Sequence, residues 1–430
     1  MLLVYTHKIT PRLTYIFKHI FENMLKIEIS FTDKVEVFVS HSGPKFSYTN
    51  KPLGDEFFIA SHTLLFEQGV INQNIEIQKW EDMPIFFVTN KNGLFPFDIF
   101  ASSFFLLTRY EEALPHVKTD LGHFNFLDSI AYKYNFLEEP IIDFWVFKFY
   151  KILSKSFEEI NKPLHGRPSK ELLLEVHHPY KYRHQSFLMI LGDFFSSIWK
   201  INIRDLVYQI LVLLRIKEDP YDSFNTWNEL FENSTLNPKV FFLFAKSSSY
   251  QSSFSIFNFN YRRIIKEIGD YFNLGILASV QAQFFPNEQL KKEKKNFQDV
   301  THNTISSIRF SNGIRDVTLD YENLSNNEFN DDYSMGYINQ IGFRAGTATP
   351  YNFYDISNEF QLPLKVHPIF ANEKGIKKID SSNPFEKLDK YYDSLPLPSG
   401  KLTIVLNNKF LHPTKINNTF QKGFLNYIND

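Results

Sequence analysis

Leu172-Leu-Leu-Glu-Val-His-His-Pro-Tyr-Lys-Tyr182 is the stretch on which the fold turns. Three leucines form a short apolar run of the kind a buried central strand shows. The run ends in Glu175, His177 and His178, and Pro179 stops it. Charged and imidazole side chains at the end of a buried strand stand where barrel folds carry their chemistry. Residues before this strand read as one domain and residues after it as another.

Just upstream, Asn161-Lys-Pro-Leu-His-Gly-Arg-Pro-Ser-Lys170 holds two prolines and a glycine without periodicity, which marks a linker over 161–170. The chain before it, 1–160, is expected to be an α+β domain. Met1–Tyr5 reads as a strand. A helix opens at Pro11 with apolar residues at Leu13, Ile16, Phe17, Ile20, Phe21 and Leu25. The alternating runs Ile27–Phe31, Val35–Val39 and Glu56–Ala60 are expected strands of a mixed sheet. Asp98 and Pro140 open further helices.

After the linker, 171–430 alternates. Strands are expected at Val240–Phe244, Leu274–Ser279, Ser306–Phe310, Val366–Ile369 and Leu402–Leu406. Helices fall at Tyr261–Tyr271, Asn287–Gln298, Pro384–Tyr392 and Phe420–Ile428, with a helical region from Ser186 to about Phe231. The apolar piece Leu206–Leu214 inside that region suits a core-packing helix or a membrane-surface one. Strand and helix in turn imply a parallel sheet or barrel with its active residues at the strand carboxyl ends.

Composition narrows the function. The chain has 430 residues, 43% of them hydrophobic and 22% charged, enough for more than one globular domain. Its 46 basic and 48 acidic residues argue against a nucleic-acid partner. The absence of cysteine excludes disulfides, thiolate metal sites and a cysteine nucleophile. No run approaches the roughly 20 apolar residues of a membrane span, and Met1–Lys8 does not read as a signal peptide, so a cytoplasmic protein is expected.

Three segments offer chemistry. Glu175 and His177 are two apart on a strand and face the same side, where they could share a proton or, with His178, hold a metal. Arg344, between the glycines of Gly342-Phe-Arg-Ala-Gly-Thr347, is set to clamp a carboxylate, either a ligand's or a neighbour's. His367 ends the short strand of Pro363-Leu-Lys-Val-His-Pro368, as a structural or a site residue. A phosphate loop, a nucleophile elbow and a dinucleotide fingerprint are all absent from the sequence.

Several strings together resemble polysaccharide deacetylase-like proteins of the NodB-homology superfamily that carry an extra N-terminal domain. They are Val4-Tyr-Thr-His-Lys-Ile-Thr-Pro-Arg-Leu-Thr-Tyr15, Phe97-Asp-Ile-Phe-Ala-Ser-Ser-Phe-Phe-Leu-Leu-Thr-Arg-Tyr-Glu-Glu112, Asp219-Pro-Tyr-Asp-Ser-Phe224, Asp332-Tyr-Ser-Met-Gly-Tyr337, and the two strings bearing Arg344 and His367. The resemblance implies a distorted (β/α) barrel over 171–430. It also implies zinc or another divalent metal that activates water against the acetamide of an N-acetylated sugar.

The chain departs from that pattern repeatedly, at four metal or acid/base positions that the resemblance implies. Glu175 and His177 replace an Asp-x-Asp pair. Leu277 stands where a histidine is expected, Ser306 or Ser307 where another is, and Asn407-Asn408 where a Trp-His-Asn string is. Leucine cannot bind metal, and asparagine cannot titrate as histidine does. Asp332, Arg344 and His367 survive as candidate catalytic residues beside Glu175. Tyr180, Tyr182 and Asn407 are candidate sugar contacts, and His177 and His178 candidate metal ligands.

The expectation is a catalytically impaired homologue that needs no cofactor and binds a carbohydrate polymer or oligosaccharide in cell-envelope or exopolysaccharide metabolism. A protein partner through the N-terminal domain is a further expectation. The alternative is an active metal-dependent hydrolase with a site rebuilt at Glu175, His177 and His178.

Overall fold

The computed structural model describes all residues except 90–94, 162, 163, 165, 185–202, 233, 380–382, 398, 399, 413–418 and 430. The first part of the helical region expected from Ser186 to about Phe231, residues 186–202, lies outside the described residues. From there a helix runs over Ile203–Leu213, burying Gln209 and Val212 and leaving Val207, Ile210 and Leu213 exposed.

The first half carries a four-stranded sheet in the order β2-β1-β3-β4, formed by β1 (Leu2–Tyr5), β2 (Ile29–Thr32), β3 (Lys45–Thr49) and β4 (Phe58–Ala60). All its pairings are parallel, so the sheet is not mixed as expected. The topology also explains why Val35–Val39 is not a strand. The chain leaves β2 on one side of β1 and must return parallel on the other side, which requires a crossover. Val35–Ser40 is accordingly a helix. The Lys45 ammonium donates to the carbonyls of Phe38, Val39 and His41, satisfying groups that a helix end leaves open.

The helix at Pro11–Lys18 follows its sequence signals. Thr10 caps it by accepting from the Leu13 amide, Pro11 occupies the first turn, and Leu13, Ile16 and Phe17 are buried. Asp98 caps Ile99–Leu107, accepting from the Phe100 and Ala101 amides. A two-stranded ribbon, β5 (Gln78–Trp80) and β6 (Met83–Ile85), and a helix at Ile141–Ser156 complete this half.

The second half is built on a nine-stranded sheet. Its strands are β7 (Ser169–Val176), β8 (Lys239–Phe242), β9 (Asn273–Ala278), β10 (Ser307–Phe310), β11 (Asp331–Met335), β12 (Tyr351–Asp355), β13 (Phe360–Pro368), β14 (Ala371–Asn372) and β15 (Lys401–Asn407). The order is β12-β13-β11-β10-β9-β8-β7-β15-β14, parallel except for the β12–β13 hairpin.

The sheet curls strongly. Residues Ile369 and Phe370 join β13 to β14 directly. The Ile369 amide donates to Met335 of β11, while the Phe370 amide donates to Thr403 of β15. One chain segment thus touches both ends of the run from β11 to β15, and the sheet is barrel-like.

Its interior is filled. Leu173, Phe241, Leu243, Leu277, Tyr333, Ile369 and Val405 pack into one buried cluster. Gly275 makes room for it, because a Cβ there would lie 2.4 Å from the Phe241 ring. Leu277, at the position where the resemblance led us to expect histidine, is one of the filling side chains.

Buried polar clamps join the two halves. Arg12 pairs with Glu359, which also accepts from the Gly69 amide. Asp143 accepts from the hydroxyls of Thr347 and Thr349. Glu112 accepts from Arg109 at 2.7 Å and from Arg344 at 2.9 Å. The glycine before Arg344 fixes its turn: Gly342 has φ 129°, and a Cβ there would lie 2.5 Å from the Leu137 carbonyl oxygen. Gly342→Ala is therefore expected to lose about 1–3 kcal/mol from backbone strain alone. The backbone clash would add to that loss, and the thermal unfolding midpoint measures the sum.

Candidate functional site

β7 delivers Glu175 to the carboxyl end of the barrel-like sheet, and alternation places His177 on the same side. From β10 the same alternation brings up Arg309 and, just beyond the strand, Ser311. Arg309 Nε donates to Glu175 Oε1 at 2.6 Å, and Ser311 Oγ donates to Glu175 Oε2 at 2.9 Å. His177 Nε2 lies 2.9 Å from Glu175 Oε2 and 3.2 Å from Ser311 Oγ. Burial by itself would raise the Glu175 carboxyl, but the Arg309 charge and the His177 hydrogen bond outweigh it and hold the group well below the usual carboxylate range.

Above these groups opens a cleft of about 530 Å³. Asn312, Asn372 and Asn407 line it with amides, and Lys374, Lys377 and Lys409 with ammonium groups.

The arrangement limits the chemistry. Ser311 and Glu175 both address the Nε2 atom of His177. A nucleophile–base–carboxylate relay needs the two partners on opposite ring nitrogens, so this is not one. Nor do the residues fit a divalent metal. Both Glu175 oxygens are already engaged, and a guanidinium at 2.6 Å repels a cation placed on the same carboxylate. Among the described residues no three His, Asp or Glu side chains come together as a metal site requires.

Of the other candidates from the sequence, His178 and Asn407 line the same cleft and the rest lie elsewhere. His178 does not join Glu175 and His177 in a three-donor cluster. Burial, and then the neighbouring His177, lowers its imidazole below the ordinary range. Tyr180 and Tyr182 are buried away from the cleft walls, in a loop clipped by Asp219, whose carboxylate accepts from the amides of Lys181, Tyr182 and Arg183. Asn407 does line the cleft, and its side chain caps the turn at Asn408–Leu411.

Asp332 faces the outer side of β11, where it accepts from the Tyr321 hydroxyl and from the amide and hydroxyl of Ser334. Burial lifts its carboxyl to about 6. His367 stacks on Tyr333 at 4.2 Å and contacts Asp331 at 2.8 Å. Arg344 is bound to Glu112 of the first half, the neighbour's carboxylate of the two partners the sequence left open. Glu175, His177, His178 and Asn407 are thus brought together on one cleft, and Asp332, Arg344 and His367 are not placed with them.

Arg309 and Ser311 were not singled out from the sequence. The signal is present nonetheless. An arginine inside the apolar strand Ile308-Arg-Phe310 must be buried, and a buried cation needs a carboxylate. Sequence does not say which one.

Comparison with known proteins adds the following. A sequence family matches residues 2–158, the part carrying the four-stranded sheet. It is a family of unknown function, DUF7033. No curated protein matches the chain. Among solved structures, one assigned as a polysaccharide deacetylase from Mycobacterium smegmatis aligns at 9% identity with a TM-score of 0.34, over 62% of this chain and 87% of that one. Puue allantoinase aligns at 12% identity with a TM-score of 0.36, over the same shares, 62% and 87%. No helix among the described residues is long and apolar enough to cross a membrane.

Proposed function

We propose that this chain is a polysaccharide deacetylase-like protein that binds a carbohydrate polymer or oligosaccharide at the mouth of its barrel and does not hydrolyse it through a metal. On this reading it has an N-terminal domain over 1–160 and a deacetylase-type barrel over 171–430, and it serves cell-envelope or exopolysaccharide metabolism. The single observation that carries the reading is Arg309 against Glu175. A carboxylate neutralised by a guanidinium and held well below its usual range is a weak base and a poor metal ligand. The cleft walls support the binding half of the reading: amide side chains both donate and accept, which is what sugar hydroxyls require.

The test uses the purified full chain. Elemental analysis is expected to find far less than one divalent metal per chain, and N-acetylated oligosaccharides are expected to release no acetate. Calorimetric binding of an oligosaccharide should be the same with and without a chelator. Stoichiometric metal together with acetate release would restore the hydrolase with a rebuilt site and end this reading.

A further inference from the structure

A second chamber adjoins the mouth. It has a volume of about 330 Å³, which is ligand size, and shares two wall residues, Asn312 and Ile338, with the first. Ring, amide and carboxylate meet on its wall. Phe126 is the half-buried ring, 5.9 Å from Tyr337, whose own ring carries the Arg344 guanidinium at 5.4 Å. Asn125, Asn312 and Asn339 bring side-chain amides, and Asp120 brings an exposed carboxylate.

The wall carries no unmatched cation. Arg344 is already neutralised by Glu112. Burial lowers the His123 imidazole below its ordinary range. Arg315, behind the hairpin, lies over the Phe284 ring at 4.0 Å and does not line the chamber. Asp120 has no partner among the described residues. Water screens its charge, which leaves it chiefly a hydrogen-bond acceptor.

The far wall belongs to the first half of the chain. Thr119–Phe126 forms a tight hairpin, with Lys118 bridged to Phe124 and the Thr119 amide donating to the His123 carbonyl. Gly122 takes φ 81° at its tip. The hairpin is pinned to the loop after β10, the same loop that presents Ser311 and Asn312. His123 Nδ1 lies 3.2 Å from the Ile314 carbonyl, and Lys118 pairs with Asp316 at 3.3 Å. The chamber therefore exists only where the N-terminal half docks on the barrel.

Resting on the carbohydrate reading above, we infer that this chamber is a subsite for an uncharged pyranose, built jointly by the two halves of the chain. The sugar lays its apolar face on Phe126 and donates hydroxyls to Asp120, while the three amides donate and accept around its rim. The next residue of the same oligosaccharide passes Asn312 and Ile338 into the mouth. An apolar ligand would strand the carboxylate and the amides without hydrogen bonds, and an anionic one would meet Asp120 with no unmatched cation on this wall to offset it.

The experiment is calorimetry on the full chain with chitotetraose and cellotetraose as uncharged probes and tetragalacturonic acid as an acidic one. An uncharged probe is expected to bind, and its affinity to stay within about twofold as salt rises, because no ion pair is formed. Phe126→Ala should weaken it about fivefold. Asn339→Trp, at an exposed wall position, should weaken it about tenfold by filling the chamber. Asp120→Ala should cost about fivefold, and Asp120→Asn, which keeps an acceptor oxygen, no more than about twofold. The unfolding midpoint checks folding. Phe126 also packs against the core, so the Asn339 and Asp120 variants decide the matter if Phe126→Ala lowers that midpoint.

Binding of an uncharged probe that ignores both Asn339→Trp and Asp120→Ala overturns the subsite and leaves the carbohydrate reading standing at the mouth. Salt-sensitive binding, with Asp120→Asn as damaging as Asp120→Ala, overturns the uncharged ligand class, and so does binding of tetragalacturonic acid alone. Failure of all three tetrasaccharides to bind overturns this inference and the carbohydrate reading together.

Discussion

Glu112→Gln is expected to lower the unfolding free energy by about 3–5 kcal/mol, the loss that follows when one member of a buried ion network is removed. Glu112 faces two guanidiniums, Arg109 and Arg344, and all three side chains are at most 3% exposed. Among the described residues, a neutral amide would leave the two buried cations sharing Glu111, the Tyr337 hydroxyl and backbone carbonyls. The pH dependence gives a second readout. Burial would raise the Glu112 carboxyl, but Arg344 and Arg109 outweigh it and bring it from 4.5 down to about 2. That shift corresponds to about 3 kcal/mol, in line with the figure above. Because the folded value is depressed, this stabilisation is complete above the usual carboxylate range and is lost as pH falls from about 4.5 through about 2. The gap between wild type and variant, followed by urea unfolding, should close across that window. A variant within about 1 kcal/mol of wild type at neutral pH would show that the network does not hold the halves together.

What the sequence revealed follows from the range over which each interaction acts. The helix at Pro11 and the strand through Leu172–Leu174 were legible because their signals are local: a cap, a proline, a periodic apolar face. Val35-Glu-Val-Phe-Val39 alternates as a strand does, yet the parallel pairing of β1 with both β2 and β3 demands a crossover, and the tertiary requirement overrides β propensity. β11 was missed for the opposite reason. Asp331-Asp-Tyr-Ser-Met335 has little apolar character, and Asp331 and Asp332 sit in it only because His367 on one face, and Tyr321 and Ser334 on the other, satisfy them.

The site divides in the same way. Glu175 and His177 could be paired from spacing alone. Arg309 is 134 residues away in sequence, and only the curl of the sheet brings it to Glu175. Tyr180 and Tyr182 were expected beside them, but Pro179 ends the alternation, and Asp219 then folds the following loop so that both rings are buried.

Glu175→Ala separates the two roles open to that carboxylate. The side chain of Arg309 is 5% exposed, and without Glu175 its remaining described partner is the Tyr333 carbonyl. An uncompensated buried charge of this kind predicts a loss of about 3–5 kcal/mol for Glu175→Ala, and a similar loss for Arg309→Met, which strands the carboxylate instead. The double variant removes both charges together. Its loss is expected to be smaller than the sum of the single losses by at least about 1.5 kcal/mol, the coupling that a close, buried pair gives in such a cycle. Strict additivity would mean that the pair contributes nothing jointly and that Glu175 is free for other work. A catalytic base behaves differently: Glu175→Gln would then abolish acetate release while leaving the unfolding midpoint almost unchanged. The guanidinium at 2.6 Å favours the first outcome, because a carboxylate already neutralised at that distance has little basicity left to lend a water molecule.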